Sequence, residues 1–151
     1  MNNTKKIRDK IDYIEERDDE LWEAYQRGWY LCDTFEEAVA NAINQPTSRI
    51  FMSVSYACNL IKFYEKHGDF RTDRYFRGKK PHPEREDLYR YIWEQYLVAR
   101  ANEWLGRKRV IDIVRMIIFQ PAPKFFLSQG YAVKLIRRIM HRKGKRFGYF
   151  T

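Results

Sequence analysis

The 151-residue chain contains a repeat of itself. Laying residues 34–67 on residues 109–142 without a gap, an offset of 75, gives ten identities: Val39/Val114, Ile43/Ile118, Gln45/Gln120, Pro46/Pro121, Phe51/Phe126, Ser53/Ser128, Tyr56/Tyr131, Ala57/Ala132, Leu60/Leu135 and Ile61/Ile136. Eight of them fall within 17 consecutive positions, where ordinary residue frequencies would supply about one. The leading segments match at an offset of 67, with Glu20-Leu21-Trp22 against Asp87-Leu88-Tyr89, so the second copy holds eight extra residues near Ala99–Gly106. A chain built this way must use one structural unit twice.

That unit is helical. From Asp18 on, Leu21, Trp22, Tyr25, Trp29 and Tyr30 recur at helical spacing, with acids in the first turn where the helix dipole favours them. Thr34 opens a second helix with Glu37 at capping-box spacing, and Phe35, Ala38, Val39, Ala42 and Ile43 form its apolar face. Pro46 ends it, since proline lacks the donor and clashes with the preceding turn. After the loop at 45–52, Ser53 is placed to cap a third helix that buries Tyr56, Ala57, Leu60, Ile61 and Tyr64 and stops at Gly68. Phe51 and Phe126 sit just before the caps, positioned to fold back on the new helix.

The second copy repeats the plan. A longer helix runs through Trp93, Tyr96, Leu97 and Trp104 to a break at Gly106, followed by a short apolar helix over 109–119, a loop and a basic helix. The expected fold is all-α, a helical bundle of two duplicated three-helix units with about six helices. Its parts are an N-terminal helical extension over 1–17, a first unit over 18–67 and a connector over 68–85. A second unit over 86–143 and a basic-aromatic tail over 144–151 complete one compact domain. The two units are expected to pack through their aromatic faces, with Tyr56 and Tyr131 in matching environments, and likewise Phe51 and Phe126.

Function must lie in what differs between the copies, and the difference is charge. The net charge of +9 is uneven: residues 1–75 carry 11 basic and 14 acidic groups, residues 76–151 carry 18 and 6. Such asymmetry points to a polyanion-facing half. On the last helix the apolar residues from Tyr131 to Met140 fill an arc of about 180°. Lys134, Arg137, Arg138 and His141 share the remaining sector, where the first copy has Asn59, Lys62, Phe63 and Lys66. Long donors on one side of a helix and an anchoring apolar face on the other are what phosphate contacts and groove docking require. Arg142, Lys143, Lys145 and Arg146 continue the basic run among Phe147, Tyr149 and Phe150, a mixture suited to single strands. Lys124, Arg107, Lys108 and Arg109 complete the candidate nucleic-acid-binding set.

The short helix, turn and basic helix at 109–142 resembles a helix-turn-helix with a long turn of about eight residues, where the ordinary motif has three or four. The stretch QPAPKFFLS with the helix after it resembles segments of small helical proteins of bacterial mobile elements and phages. That resemblance implies no activity. The alternative to a nucleic-acid partner is a protein partner, or a homo-oligomer formed through the acidic N-terminal region. Exposed aromatics would anchor either one, and four tryptophans and eleven tyrosines are many for this length.

An enzyme is not expected. His67, His82 and His141 have no metal-ligand spacing, no glycine-rich loop follows a strand, and neither a cofactor nor a metal is implied. Glu15, Glu16, Asp18, Asp19 and Glu20 read as a solvated helix start. Cys32 and Cys58 lack CxxC spacing and read as buried free thiols. With no apolar leader and no apolar run near the roughly 20 residues that span a bilayer, a cytoplasmic, membrane-free protein is expected.

Overall fold

The computed structural model describes the backbone of residues 2–68 and 82–147 and the side chains of residues 13–68 and 82–144. Among these residues lie six α-helices and no strand: α1 (Asn2–Gly28), α2 (Phe35–Ile43), α3 (Val54–His67), α4 (Pro83–Ala101), α5 (Val110–Ile118) and α6 (Gln129–Phe147). Short 3₁₀ turns at Trp29–Leu31 and Leu105–Arg107 follow α1 and α4. The all-α expectation holds.

Local signals set the helix starts. Thr34 Oγ1 accepts the Glu37 backbone N–H at 3.1 Å. The Glu37 carboxylate accepts the N–H of Asp33, one residue earlier than in a strict capping box. Ser53 and Ser128 accept the N–H groups of Tyr56 and Tyr131, both at 3.1 Å. Helices α5 and α6 therefore begin 75 residues after α2 and α3, as the repeat requires. Gly68, at φ 69°, closes α3 in the left-handed region that favours glycine.

Several boundaries move. The extension over 1–17 and the first helix are one 27-residue helix, because no proline or glycine interrupts the sequence before Gly28. Helix α4 begins at Pro83, inside the expected connector, with proline at the first helical position where its missing donor costs nothing. The rest of the connector, residues 69–81, lies outside the described residues. Helix α6 runs to Phe147, so residues 144–147 continue a helix and do not begin a tail; residues 148–151 lie outside the described set.

The larger correction concerns grouping. The chain forms two compact units, one from Met1–Thr47 with Ala122–Thr151, the other from Ser48–Pro121. The first thus contains α1, α2 and α6; the second contains α3, α4 and α5. The copies do not each close on themselves over 18–67 and 86–143. Each unit takes two helices from one copy and the third from the other. The loops direct this exchange. Thr47 and Ala122, counterparts in the repeat, pair with each other as an isolated antiparallel bridge, their N–H groups donating at 2.9 and 3.1 Å. In the first unit the Phe125 N–H donates to the Ile43 carbonyl at 3.0 Å. In the second, Ile50 donates to Ile118 at 2.9 Å, the same bond with the copies interchanged.

Each exchanged helix buries the same face. Ala132, Leu135 and Ile136 in the first unit, and Ala57, Leu60 and Ile61 in the second, are all at most 1% exposed. The tyrosines preceding them do not match. Tyr56 is half-buried, with its hydroxyl 3.1 Å from that of Tyr89, whereas Tyr131 is 43% exposed. The counterpart of Tyr89 is Trp22, which has no hydroxyl to offer. Phe51 and Phe126 differ too: Phe126 is buried at φ 56°, a left-handed geometry costing about 1 kcal/mol for a non-glycine residue, and Phe51 is half-buried.

Trp104 was expected within a helix and is not. Asn102 Oδ1 accepts the N–H groups of Trp104 and Leu105, at 3.0 and 3.1 Å, and turns the chain. Arg100 then holds the returning segment by donating to the carbonyls of Gly106 (3.0 Å) and Lys108 (2.8 Å). A methyl group on Gly106 would collide with the Arg100 carbonyl oxygen, so backbone must move. Gly106→Ala is expected to cost about 1–3 kcal/mol in urea denaturation.

Both cysteines are free. Cys58 is buried, and desolvation pushes its thiol pKa up against the opposing influence of Lys62 and Arg115. Cys32 is only half-buried, which the sequence reading had not anticipated; its thiol donates to the Gly28 carbonyl.

Candidate nucleic-acid interface

Helix α6 has two faces. Ala132, Leu135, Ile136 and Ile139 are buried against α1 and α2. Lys134, Arg137, Arg138, His141 and Arg142 are exposed. Their spacing (i, i+3, i+4, i+7, i+8) puts all five on one stripe about 12 Å long at 1.5 Å per residue. Among the described residues none of these five forms an ion pair, and residues 122–151 contain eight Lys/Arg and no acid.

The remaining expected contacts are placed differently. Arg137 leans over the Phe35 ring of α2 at 5.4 Å, which holds one edge of the stripe. Lys143 is half-buried over Trp22 at 5.6 Å, and Lys124 is half-buried over Phe126 at 5.2 Å. Both are drawn inward by aromatic rings. Lys145 and Arg146 continue α6, with side chains outside the described residues.

Arg107, Lys108 and Arg109 belong to the second unit and do not share a unit with the stripe. Arg107 and Lys108 are exposed there. Arg109 is engaged: its guanidinium bonds Asp112 at 3.1 Å, which holds that carboxyl below its ordinary pKa and raises the guanidinium's own. Arg115 adds a second contact to Asp112 at 3.7 Å. Such exposed pairs contribute little to stability.

At the head of the stripe, Arg17 sits 5.7 Å above the ring of Tyr131 while pairing with Asp18 at 3.0 Å. Neither residue was an expected site residue: Arg17 fell in the extension and Tyr131 on the apolar face. Only the packing of α1 against α6 brings them together. In the first copy the matching surface of α3 is broken, because half-buried Phe63 lies against the His67 ring at 4.3 Å between centroids and Glu65 lies exposed between Lys62 and Lys66 in sequence.

Folding also mixes the charges that the linear sequence separates. The first unit holds 14 basic and 11 acidic residues, a net of +3, and the second holds 15 and 9, a net of +6. The basic helix α6 packs beside the acid-rich α1, so within the first unit the cationic surface is the local stripe on α6. The neighbours of α6 in its unit are α1 and α2, while α5, its partner in the helix-turn-helix-like stretch, lies in the other unit.

Among the described residues no three His, Cys, Asp or Glu side chains are grouped to hold a metal ion, and no helix is long and apolar enough to cross a membrane. No protein-family model matches the chain, and no curated protein or solved structure matches it either.

Proposed function

We propose that the protein binds nucleic acid, with the exposed stripe of α6 lying along the phosphate backbone. The observation that carries this reading is the placement of Lys134, Arg137, Arg138, His141 and Arg142 on one solvent face of a helix whose opposite face is buried. A face held rigid by its own core needs no backbone ordering on binding, so only its long side chains lose freedom when they meet phosphates. The arginines add planar donors that grip a phosphate or a guanine edge with two bonds. Lys143, drawn inward over Trp22, takes no part in this contact. The role is binding and not catalysis. The two free thiols fit a reducing cytoplasm.

Salt dependence provides the test. The full chain is titrated with labelled duplex DNA, single-stranded DNA and RNA at several salt concentrations. Four permanently charged side chains in the stripe predict a log–log slope of roughly −3 to −4 on duplex DNA, at about 0.9 per phosphate neutralised. A slope near zero, or no binding to any of the three at low salt, rules the reading out.

A further inference from the structure

Apart from Ile111, Phe119 and Tyr131, the exposed large apolar side chains among the described residues fall into two groups. In the first unit they are Trp29 (52% exposed), Tyr30 (64%) and Leu31 (77%), on the turn that follows α1. In the second they are Leu97 (48%), Val98 (67%) and Trp104 (81%), on the last turns of α4 and the segment that Arg100 folds back. At the offset of 67, Tyr30 corresponds to Leu97 and Leu31 to Val98. Both copies therefore expose two consecutive large apolar residues at the same place, the end of the leading helix. Uncovered apolar clusters with polar borders mark interaction surfaces.

The borders differ in sign. Residues 27–37 carry exposed Asp33, Glu36 and Glu37 with one base, Arg27, whose guanidinium is bonded to Gln45. Residues 102–109 carry exposed Arg107 and Lys108, together with Arg109 paired to Asp112 and one acid, Glu103. At the offset of 75, Asp33 corresponds to Lys108. The two surfaces are alike in their apolar centres and opposite at their rims. Pairing like with like would set acid on acid or base on base, which is strongly disfavoured. Pairing unlike surfaces covers both centres and matches both rims. The α6 stripe is also cationic, but no exposed aliphatic lies within it, so it does not complement the Trp29–Leu31 surface as well.

We propose that the chain self-associates head to tail, the acidic-rimmed Trp29–Leu31 surface of one copy docking on the basic-rimmed Leu97/Val98/Trp104 surface of a second. This contact is heterologous: a pair of copies keeps one free surface of each kind, so assembly closes into a ring or extends. It is independent of the nucleic-acid reading, since none of its residues lies on α6.

Sedimentation velocity of the nuclease-treated full chain, from the low micromolar to the sub-millimolar range, tests the inference. The average mass should rise with concentration. Leu31→Ser and Val98→Ser each disable one surface, so each variant alone should stay monomeric, yet the two mixed should form a one-to-one dimer that grows no further. Asp33→Lys and Lys108→Asp should each weaken association about tenfold, and the double variant should recover it, because the rims are then exchanged and again complementary. All these positions are exposed, and circular dichroism checks that each variant keeps its helices. A wild-type chain that stays monomeric throughout overturns the proposal. So does association unaffected by either serine variant, or a double charge reversal that fails to recover it.

Discussion

Leu135→Asp is expected to melt α1 and α2 together with α6 while leaving α3, α4 and α5 protected. Leu135 is 0% exposed on the α6 face packed against α1 and α2. An unpaired carboxylate there must be desolvated or protonated and also leaves a cavity, together about 3–5 kcal/mol. That is a large part of the 5–15 kcal/mol that typically holds a domain together. Hydrogen exchange followed by peptide mass spectrometry gives the readout: protection should fall over 13–47 and 122–144 and persist over 48–68 and 82–121. Leu60→Asp, at a position 1% exposed in α3, should produce the mirror pattern. If Leu135→Asp instead deprotects α4 and α5, each copy folds with its own third helix and the exchanged grouping is wrong. Arg138→Ala, on the solvent face of the same helix, should change stability by no more than about 0.5 kcal/mol.

The second large effect belongs to the proposed binding surface. Changing Lys134, Arg137 and Arg138 together to alanine removes three of the four permanent cations of the stripe. At roughly 0.9 per phosphate, the salt slope on duplex DNA should flatten by about two to three, with a matching loss of affinity at low salt. The comparison is Lys62→Ala with Lys66→Ala on α3, where Glu65 and the Phe63–His67 ring pair already interrupt the cationic face. That pair should change the slope by less than about one. Equal losses from the two variants would mean diffuse attraction to a basic protein and no site on α6. Because Arg137 also lies over Phe35, a thermal melt must accompany the titration to separate lost packing from lost charge.

How much of this was legible beforehand depends on the range of the interaction involved. Helix starts at Thr34, Ser53 and Ser128 were readable because a cap is settled within three residues, and the structure makes each bond. The buried faces of α3 and α6 were readable because helical period alone puts Ala57, Leu60 and Ile61, or Ala132, Leu135 and Ile136, on one side. The exposure of Lys134, Arg137, Arg138, His141 and Arg142 followed from the same period. Tyr131 failed because it stands at the edge of that arc: Tyr56 meets the Tyr89 hydroxyl, while Tyr131 is left 43% exposed beside the Arg17 guanidinium.

The sequence by itself determined about six helices, the caps at Thr34, Ser53 and Ser128, and the buried Ala-Leu-Ile faces of α3 and α6. Only the tertiary structure decided which copy covers which face. A repeat makes that choice invisible, since α3 and α6 present the same Ala-Leu-Ile surface and either could seat in either place. The decision lies in long-range backbone bonds, Thr47 with Ala122, Phe125 to Ile43 and Ile50 to Ile118, which no local pattern specifies. Prolines 46 and 121, and Pro123 beside Ala122, favour extended backbone in these loops and so leave donors free for partners distant in sequence. The same exchange set the electrostatics. It brought the basic α6 beside the acid-rich α1, so that within the first unit the exposed positive charge is concentrated in one stripe on one helix.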